Sequence, residues 1–257
     1  MRKYFTVEVK PTITASKQHT GAFGAGDILC DWTEFEVPRG ANRLIGITAI
    51  IRGTDGAAQT ARDLEIYFAK SRNGGSTAPP ALGTVNATAG NGGFANHIIG
   101  SAKLDNTAGA DWKLYIDTLS VASTGFGAGA TQTSFGVLEG ESESGNVSND
   151  KLYLGILTAG ALNFSTTVLA RGGEAAGVTV VETDKGSNDD PDAELIFVPG
   201  DVLHSATDDV LGTVKSIAAF GSSKQDINFI SGTAAIIADN EEIYNVNPIT
   251  LILSFEK

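Results

Sequence analysis

The chain has 257 residues, with 18 Lys and Arg against 30 Asp and Glu, a formal charge of -12. That balance disfavours nucleic acid and anionic membrane surfaces as partners, and no apolar run approaches the roughly 18 residues of a membrane-spanning helix. A single cysteine, Cys30, excludes an intramolecular disulfide framework, and 31 glycines with few Leu/Glu/Lys/Arg runs leave little material for surface helices.

In chain order, MRKYFTVEVKPT has a basic start with no apolar stretch behind it, so neither an export signal nor an anchor is expected, and folding in a cytosol is. Phe5, Val7 and Val9 alternate with Tyr4, Thr6 and Glu8, the period of a strand with one dry face. The stretch HTGAFGAGDILCDW (19–32) then carries Gly21, Gly24 and Gly26 and leads into the strand pattern TEFEVP. Further strands are expected over Leu44–Ile51, Leu64–Phe68, Leu114–Val121, Leu152–Leu157, Val178–Val181, Leu195–Val198, Leu211–Ala219 and Ile227–Ile230. Ala57–Arg62 is the best helix candidate, with loop as its alternative. Val37-Pro38-Arg39-Gly40 and Val198-Pro199-Gly200-Asp201 read as turns. At the C-terminus Ile249, Leu251, Leu253 and Phe255 share one face, so both chain ends are expected as strands that can lie in one sheet. Gly26-Asp27-Ile28-Leu29 is echoed by Gly200-Asp201-Val202-Leu203, which suggests similar supersecondary units. The expectation is an all-β chain: an antiparallel β-sandwich, jelly-roll-like, with long Gly-rich loops and little helix, one domain over 1–257, with two stacked β domains as the alternative.

The glycine stretch fits a phosphate loop poorly. Such loops sit between a strand and a helix, so that backbone N–H groups and the helix dipole converge on the anion. Here G-x-x-G-x-G reverses the dinucleotide fingerprint and no Lys-Ser or Lys-Thr follows. GAGD also resembles the anion-hole motif of ribokinase-type sugar kinases, but that motif opens a helix, whereas this one opens a strand. A similar text returns at Thr124-Gly125-Phe126-Gly127-Ala128-Gly129, again with no helix pattern after it. Structural loops with a Phe anchor account for both.

Other constellations are sparse. His19, His97 and His204 form no His-x-His or HExxH spacing, so solvated or hydrogen-bonded histidines are expected and no metal, cofactor or catalytic residue is assigned. No G-x-S-x-G elbow is present, and Cys30 reads as a small core residue. Asp189, Asp190, Asp192 and Glu194 crowd the segment 187–194, which fits either a solvated turn or a hard-cation loop without EF-hand spacing. Glu139, Glu141 and Glu143 form a weaker cluster. A carboxylate pair across a sugar cleft would need aromatic platforms, and aromatics make up only 7% of the chain. Sequons at Asn86, Asn146 and Asn163 carry no weight without export. The long connector 72–96, with GGSTAPP and NATAGNGG, exceeds what a compact enzyme uses between strands.

The strand-turn-strand text GDILCDWTEFEVPRGANRLIGITAIIRG, the middle LYLGILTAGALNFSTTVLA and the ending NPITLILSFEK resemble virion structural proteins of tailed bacteriophages, in particular head decoration or cement proteins of marine phages. The resemblance implies a non-enzymatic protein of the virion that binds the major capsid protein, a homo-oligomer with a trimer favoured, and no nucleic-acid or membrane partner. It carries over no binding residues. The alternative is a tail-fibre or tail-tip module that recognises host surface glycans, for which Trp32, Trp112, Phe94 and Phe126 are the candidate aromatics. A sugar-active enzyme ranks third.

Overall fold

The structure, a computed structural model, describes residues 3–38, 42–52, 64–70, 78–90, 92–104, 114–120, 123–124, 131–132, 137–138, 151–164, 168–184, 197–220 and 224–257. The chain is all-β, with sixteen strands and two short helical segments among these residues. In order they are β1 (Tyr4–Val9), α1 (Ala15–His19), β2 (Ile28–Glu36), β3 (Asn42–Arg52), β4 (Leu64–Ala69), a 3-10 turn (Gly92–His97), β5 (Ile98–Leu104), β6 (Leu114–Ser120), the two-residue β7 (Ser123–Thr124), β8 (Thr131–Gln132) and β9 (Val137–Leu138), β10 (Lys151–Thr158), β11 (Val180–Asp184), β12 (Val202–Ser205), β13 (Val210–Phe220), β14 (Lys224–Phe229), β15 (Ile243–Asn245) and β16 (Ile249–Glu256).

Two antiparallel sheets, β1-β16-β3-β6 and β2-β10-β4-β5, enclose the first core. The expected pairing of the chain ends is observed, from Tyr4 opposite Glu256 to Val9 opposite Leu251. The alternation at the C-terminus delivers Ile249, Leu251, Leu253 and Phe255 to the core, where Ile47, Ala49 and Ile51 of β3 meet Ile66, Phe68, Leu154 and Ile156 of the facing sheet. Each fully buried side chain of this size stabilises the fold by roughly 1.5–3 kcal/mol. Counted among the eight sandwich strands alone, the hydrogen-bonded neighbours include first with eighth, second with seventh, third with sixth and fourth with fifth. The pairs are nested, as though one long hairpin had been rolled up.

The rolled pairs sort the connections by end. Because β1 and β3 run antiparallel to β16 and β6, the β1–β2, β3–β4 and β5–β6 connections and the segment between β10 and β16 all emerge at one end of the sandwich. That last segment is a unit of its own. Its sheet, β11-β14-β13-β12-β15, surrounds a second, separate core that includes Phe197, Leu203, Leu211, Val214, Ile227 and Phe229. Residues 168–171 bridge its two edge strands. The Ile243 N–H donates to Val168 O (3.0 Å) and the Ala170 N–H to Glu241 O (2.9 Å), while on the other side the Asp184 N–H donates to Leu169 O (3.0 Å) and the Arg171 N–H to Glu182 O (2.8 Å). The two edge strands of the sheet, β11 and β15, are thereby joined as in a small barrel, which covers edges that would otherwise template unwanted strand pairing. A chain expected as one sandwich, with two β units as the alternative, thus buries two apolar clusters.

Several expected elements shift. Phe197 and Val198, the described part of the strand expected over Leu195–Val198, are not in a strand but lead into the turn at Pro199–Gly200, where the Asp201 carboxylate accepts the Val198 N–H (2.9 Å) and folds the chain back. Strand β11 begins at Val180 rather than Val178, and β14 ends at Phe229. Strands β5 and β12 and helix α1 occupy stretches with no sequence signal strong enough to announce them. The helix candidate Ala57–Arg62 lies outside the described residues.

Candidate functional site

The glycine stretch that opened the question of a phosphate loop spends its donors internally. The Gly24 N–H goes to the Asp27 carboxylate (2.6 Å) and the Gly26 N–H to Thr158 O (2.6 Å). Phe23, fully buried, packs edge-on against Phe164, and the Asn86 amide bonds Gly21 O (3.3 Å) and Lys17 O (3.4 Å). Gly26 adopts φ +83°, and Gly200 in the echoing stretch φ +96°, the left-handed region that only glycine enters cheaply. In both copies the next residue is an Asp whose carboxylate reaches back three positions, Asp27 to the Gly24 N–H and Asp201 to the Val198 N–H. The echo is therefore one turn used twice, once to start β2 of the sandwich and once to start β12 of the barrel. The second glycine run, at 125–129, lies outside the described residues, as do the acidic segments 187–194 and 139–145 and the sequon at Asn146.

Cys30 is buried on the sandwich core, and burial pushes its thiol up to about 12, so it is an inert packing group. The histidines are dispersed. His97 Nδ1 faces Lys70 O at 3.0 Å and His204 Nδ1 faces Asp208 O at 3.0 Å. His19 joins a polar cluster at the junction of the two units. Its Nδ1 lies 3.0 Å from Glu242 Oε2 and 3.1 Å from the Tyr244 hydroxyl, which itself donates to Glu242. Helix α1 positions this cluster through bonds to both units. Gln18, 1% exposed, donates from Nε2 to Ile13 O (2.7 Å) and to Asn245 O of the barrel (2.8 Å). The Ser16 N–H donates to Asp208 Oδ1 (2.9 Å), and the Ile13 N–H to Val246 O (2.8 Å). Glu242 accepts from its neighbours and Tyr244 is 1% exposed, so the chemistry of this cluster is that of a clamp between sandwich and barrel. Among the described residues no group of three His, Cys, Asp or Glu side chains is placed to hold a metal ion, and no helix is long and apolar enough to cross a membrane.

Of the four candidate aromatics the structure brings two together. Trp32 and Phe94 meet edge-to-face with ring centres 6.3 Å apart, and Trp112 and Phe126 lie outside the described residues. The connector 78–90 runs antiparallel along β2, the edge strand of its sheet. The Trp32 indole N–H donates to Pro80 O (2.8 Å), the Leu82 N–H to Asp31 Oδ1 (3.0 Å), the Asn86 N–H to Ile28 O (2.9 Å) and the Ile28 N–H to Ala87 O (3.0 Å). Leu82 is fully buried over Gly155. The long connector therefore seals a sheet edge and covers the sandwich's outer face.

The barrel differs from the sandwich most in charge. Residues 168–246 contain 14 Asp and Glu against 4 Lys and Arg, a formal -10 of the chain's -12, while the remaining residues contain 16 against 14. Among the described residues it also carries most of the exposed large apolar side chains, Val180, Val198, Val210, Ile230 and Ile236, with Tyr4 of β1 the exception. Sequence reading missed this surface because the asymmetry is visible only once the boundaries of the barrel are known. No family model matches the chain, and no curated protein and no solved structure matches it either.

Proposed function

We propose that this chain is a non-enzymatic structural protein of a tailed-phage virion, which decorates or cements the head by binding the major capsid protein as a homo-oligomer. The observation that carries the reading is the nested pairing of eight strands in two facing sheets, the first of which also takes the two-residue β9 beside β3. That nesting supports a jelly roll, an architecture used by viral capsid domains as well as by lectins and cupins. Since a fold alone hosts many functions, the surface matters as much. The barrel is set into the last connection of the roll and presents apolar side chains to solvent, as a docking module would. The polar clusters that the described residues do form act as clamps and turns.

Quantitative mass spectrometry of purified virions tests this by counting copies relative to the major capsid protein. A copy number comparable to that of the capsid protein is the expected result, and absence from particles overturns it. The pairing of Trp32 with Phe94 favours a second reading, a tail module that recognises glycans through an aromatic surface. A few copies per virion, together with glycan binding that Trp32→Ala abolishes, would establish that one instead.

A further inference from the structure

One end of the barrel is uncharged. Residues 227–238 (INFISGTAAIIA) and 175–181 (AAGVTVV) contain none of its 18 formal charges, and the two segments lie side by side. The Gly177 N–H donates to Thr233 O (2.7 Å), the Thr233 N–H to Val178 O (2.7 Å) and the Phe229 N–H to Thr179 O (2.9 Å). The start of β13 joins them, with the Ile230 N–H donating to Thr213 O (2.9 Å) and the Ala234 N–H to Leu211 O (3.3 Å). On this surface Ile236 is 71% exposed, Ile230 66% and Val210 45%, the first two being the most exposed large apolar side chains among the described residues. Acids frame it. Glu174 bonds backbone to backbone with Ile237, Asp209 precedes Val210, and Asp239 follows the segment.

We propose that this end of the barrel is a protein-docking surface whose partner presents an apolar centre rimmed by Lys and Arg; resting on the function proposed above, that partner is the major capsid protein. The charge pattern selects the occupant. An apolar centre excludes water while a rim dominated by one sign favours the opposite sign across the contact. A second copy of the chain would set acid against acid around the same centre. Residues 168–171 cover both edge strands of the sheet, so recognition at this end falls to side chains, and isoleucines exposed at this level supply it.

The test uses the full chain and empty shells assembled from the major capsid protein, with binding measured by co-sedimentation at rising salt. The double variant Ile230→Ser/Ile236→Ser keeps the fold because both side chains already face solvent. It is expected to bind at least about tenfold more weakly, and wild-type binding is expected to weaken as salt screens the rim. If the wild type does not bind shells, the decoration reading itself fails and takes this proposal with it. If wild type and double variant bind equally well, decoration stands and the barrel-end proposal fails. Self-association of the chain that strengthens with salt and is lost in the double variant would assign the surface to a second copy and overturn the proposal.

Discussion

Gly232→Ala adds one methyl group where the barrel has no room. A Cβ there would lie 2.8 Å from the carbonyl carbon of Gly177 and 2.9 Å from its Cα, and closer still to its carbonyl oxygen. These are backbone atoms, so no side chain can rotate away. Relief requires the strand pair 174–179 and 229–237 to part, which strains the bonds from the Gly177 N–H to Thr233 O and from the Thr233 N–H to Val178 O, both 2.7 Å. Overpacking of this kind costs about 1–3 kcal/mol, and a weakened hydrogen bond adds about 0.5–1.5 kcal/mol. Against this stands the about 0.4–1 kcal/mol gained when Ala restricts the unfolded chain. The net loss is about 0.5–4 kcal/mol, and at about 2–4 °C per kcal/mol for a chain near this size it lowers Tm by roughly 1–16 °C. Circular dichroism during thermal unfolding measures it, with Gly92→Ala as the control, since a Cβ at Gly92 meets nothing within 4 Å. A Gly232→Ala variant as stable as the wild type or more so would refute the steric argument, because only the unfolded-state gain would then remain.

Three further outcomes follow from the same geometry. Gln18→Ala strips two buried carbonyls, Ile13 O and Asn245 O, of their donor, so it is expected to cost about 2–4 kcal/mol and to split calorimetric unfolding into separate sandwich and barrel transitions; a single unshifted transition would count against the clamp. The Cys30 thiol, raised by burial from 9.0 to about 12, contributes stability that is fully present below pH 9 and is lost as pH rises toward 12. Urea unfolding should therefore show about 1 kcal/mol less stability at pH 10 than at pH 9 from this group, Cys30→Ala should flatten that step, and a thiol reagent should label Cys30 only on unfolding. The Glu182 carboxyl is held below its ordinary range chiefly by the hydrogen bond from Lys224 Nζ (2.5 Å); its contribution is present above the unfolded pKa and lost as pH falls through the folded one, so Lys224→Met should make the acid limb of the stability profile shallower below the ordinary glutamate range.

The parts of this fold legible in the amino-acid sequence are those governed by local periodicity and local turn chemistry. Ile249 to Phe255 alternate because one face of β16 is dry, and the two Gly-Asp dipeptides announce turns because a positive φ and a reaching carboxylate are properties of neighbours in the chain. Where a strand is buried on both sides the alternation disappears. Ile28, Leu29 and Cys30 are consecutively buried, since the connector 78–90 covers the outer face that would otherwise be wet, and register shifts interrupt β2 against β10; the start of β2 therefore read as part of a glycine loop. Helix α1, at five residues, is too short to show a period and is held by Gln18, Ser16 and Ile13 bonding to residues about 190 or more positions away. The nesting of first strand with last, the closure of the barrel by residues 168–171, and the gathering of an uncharged surface from residues 175–181, 210 and 227–238 all depend on pairings between distant segments. Composition determined the all-β class and the overall acidity of this protein, because both are sums over residues. The tertiary structure decided where that acidity sits and which apolar side chains it surrounds, because only packing brings remote segments onto one face.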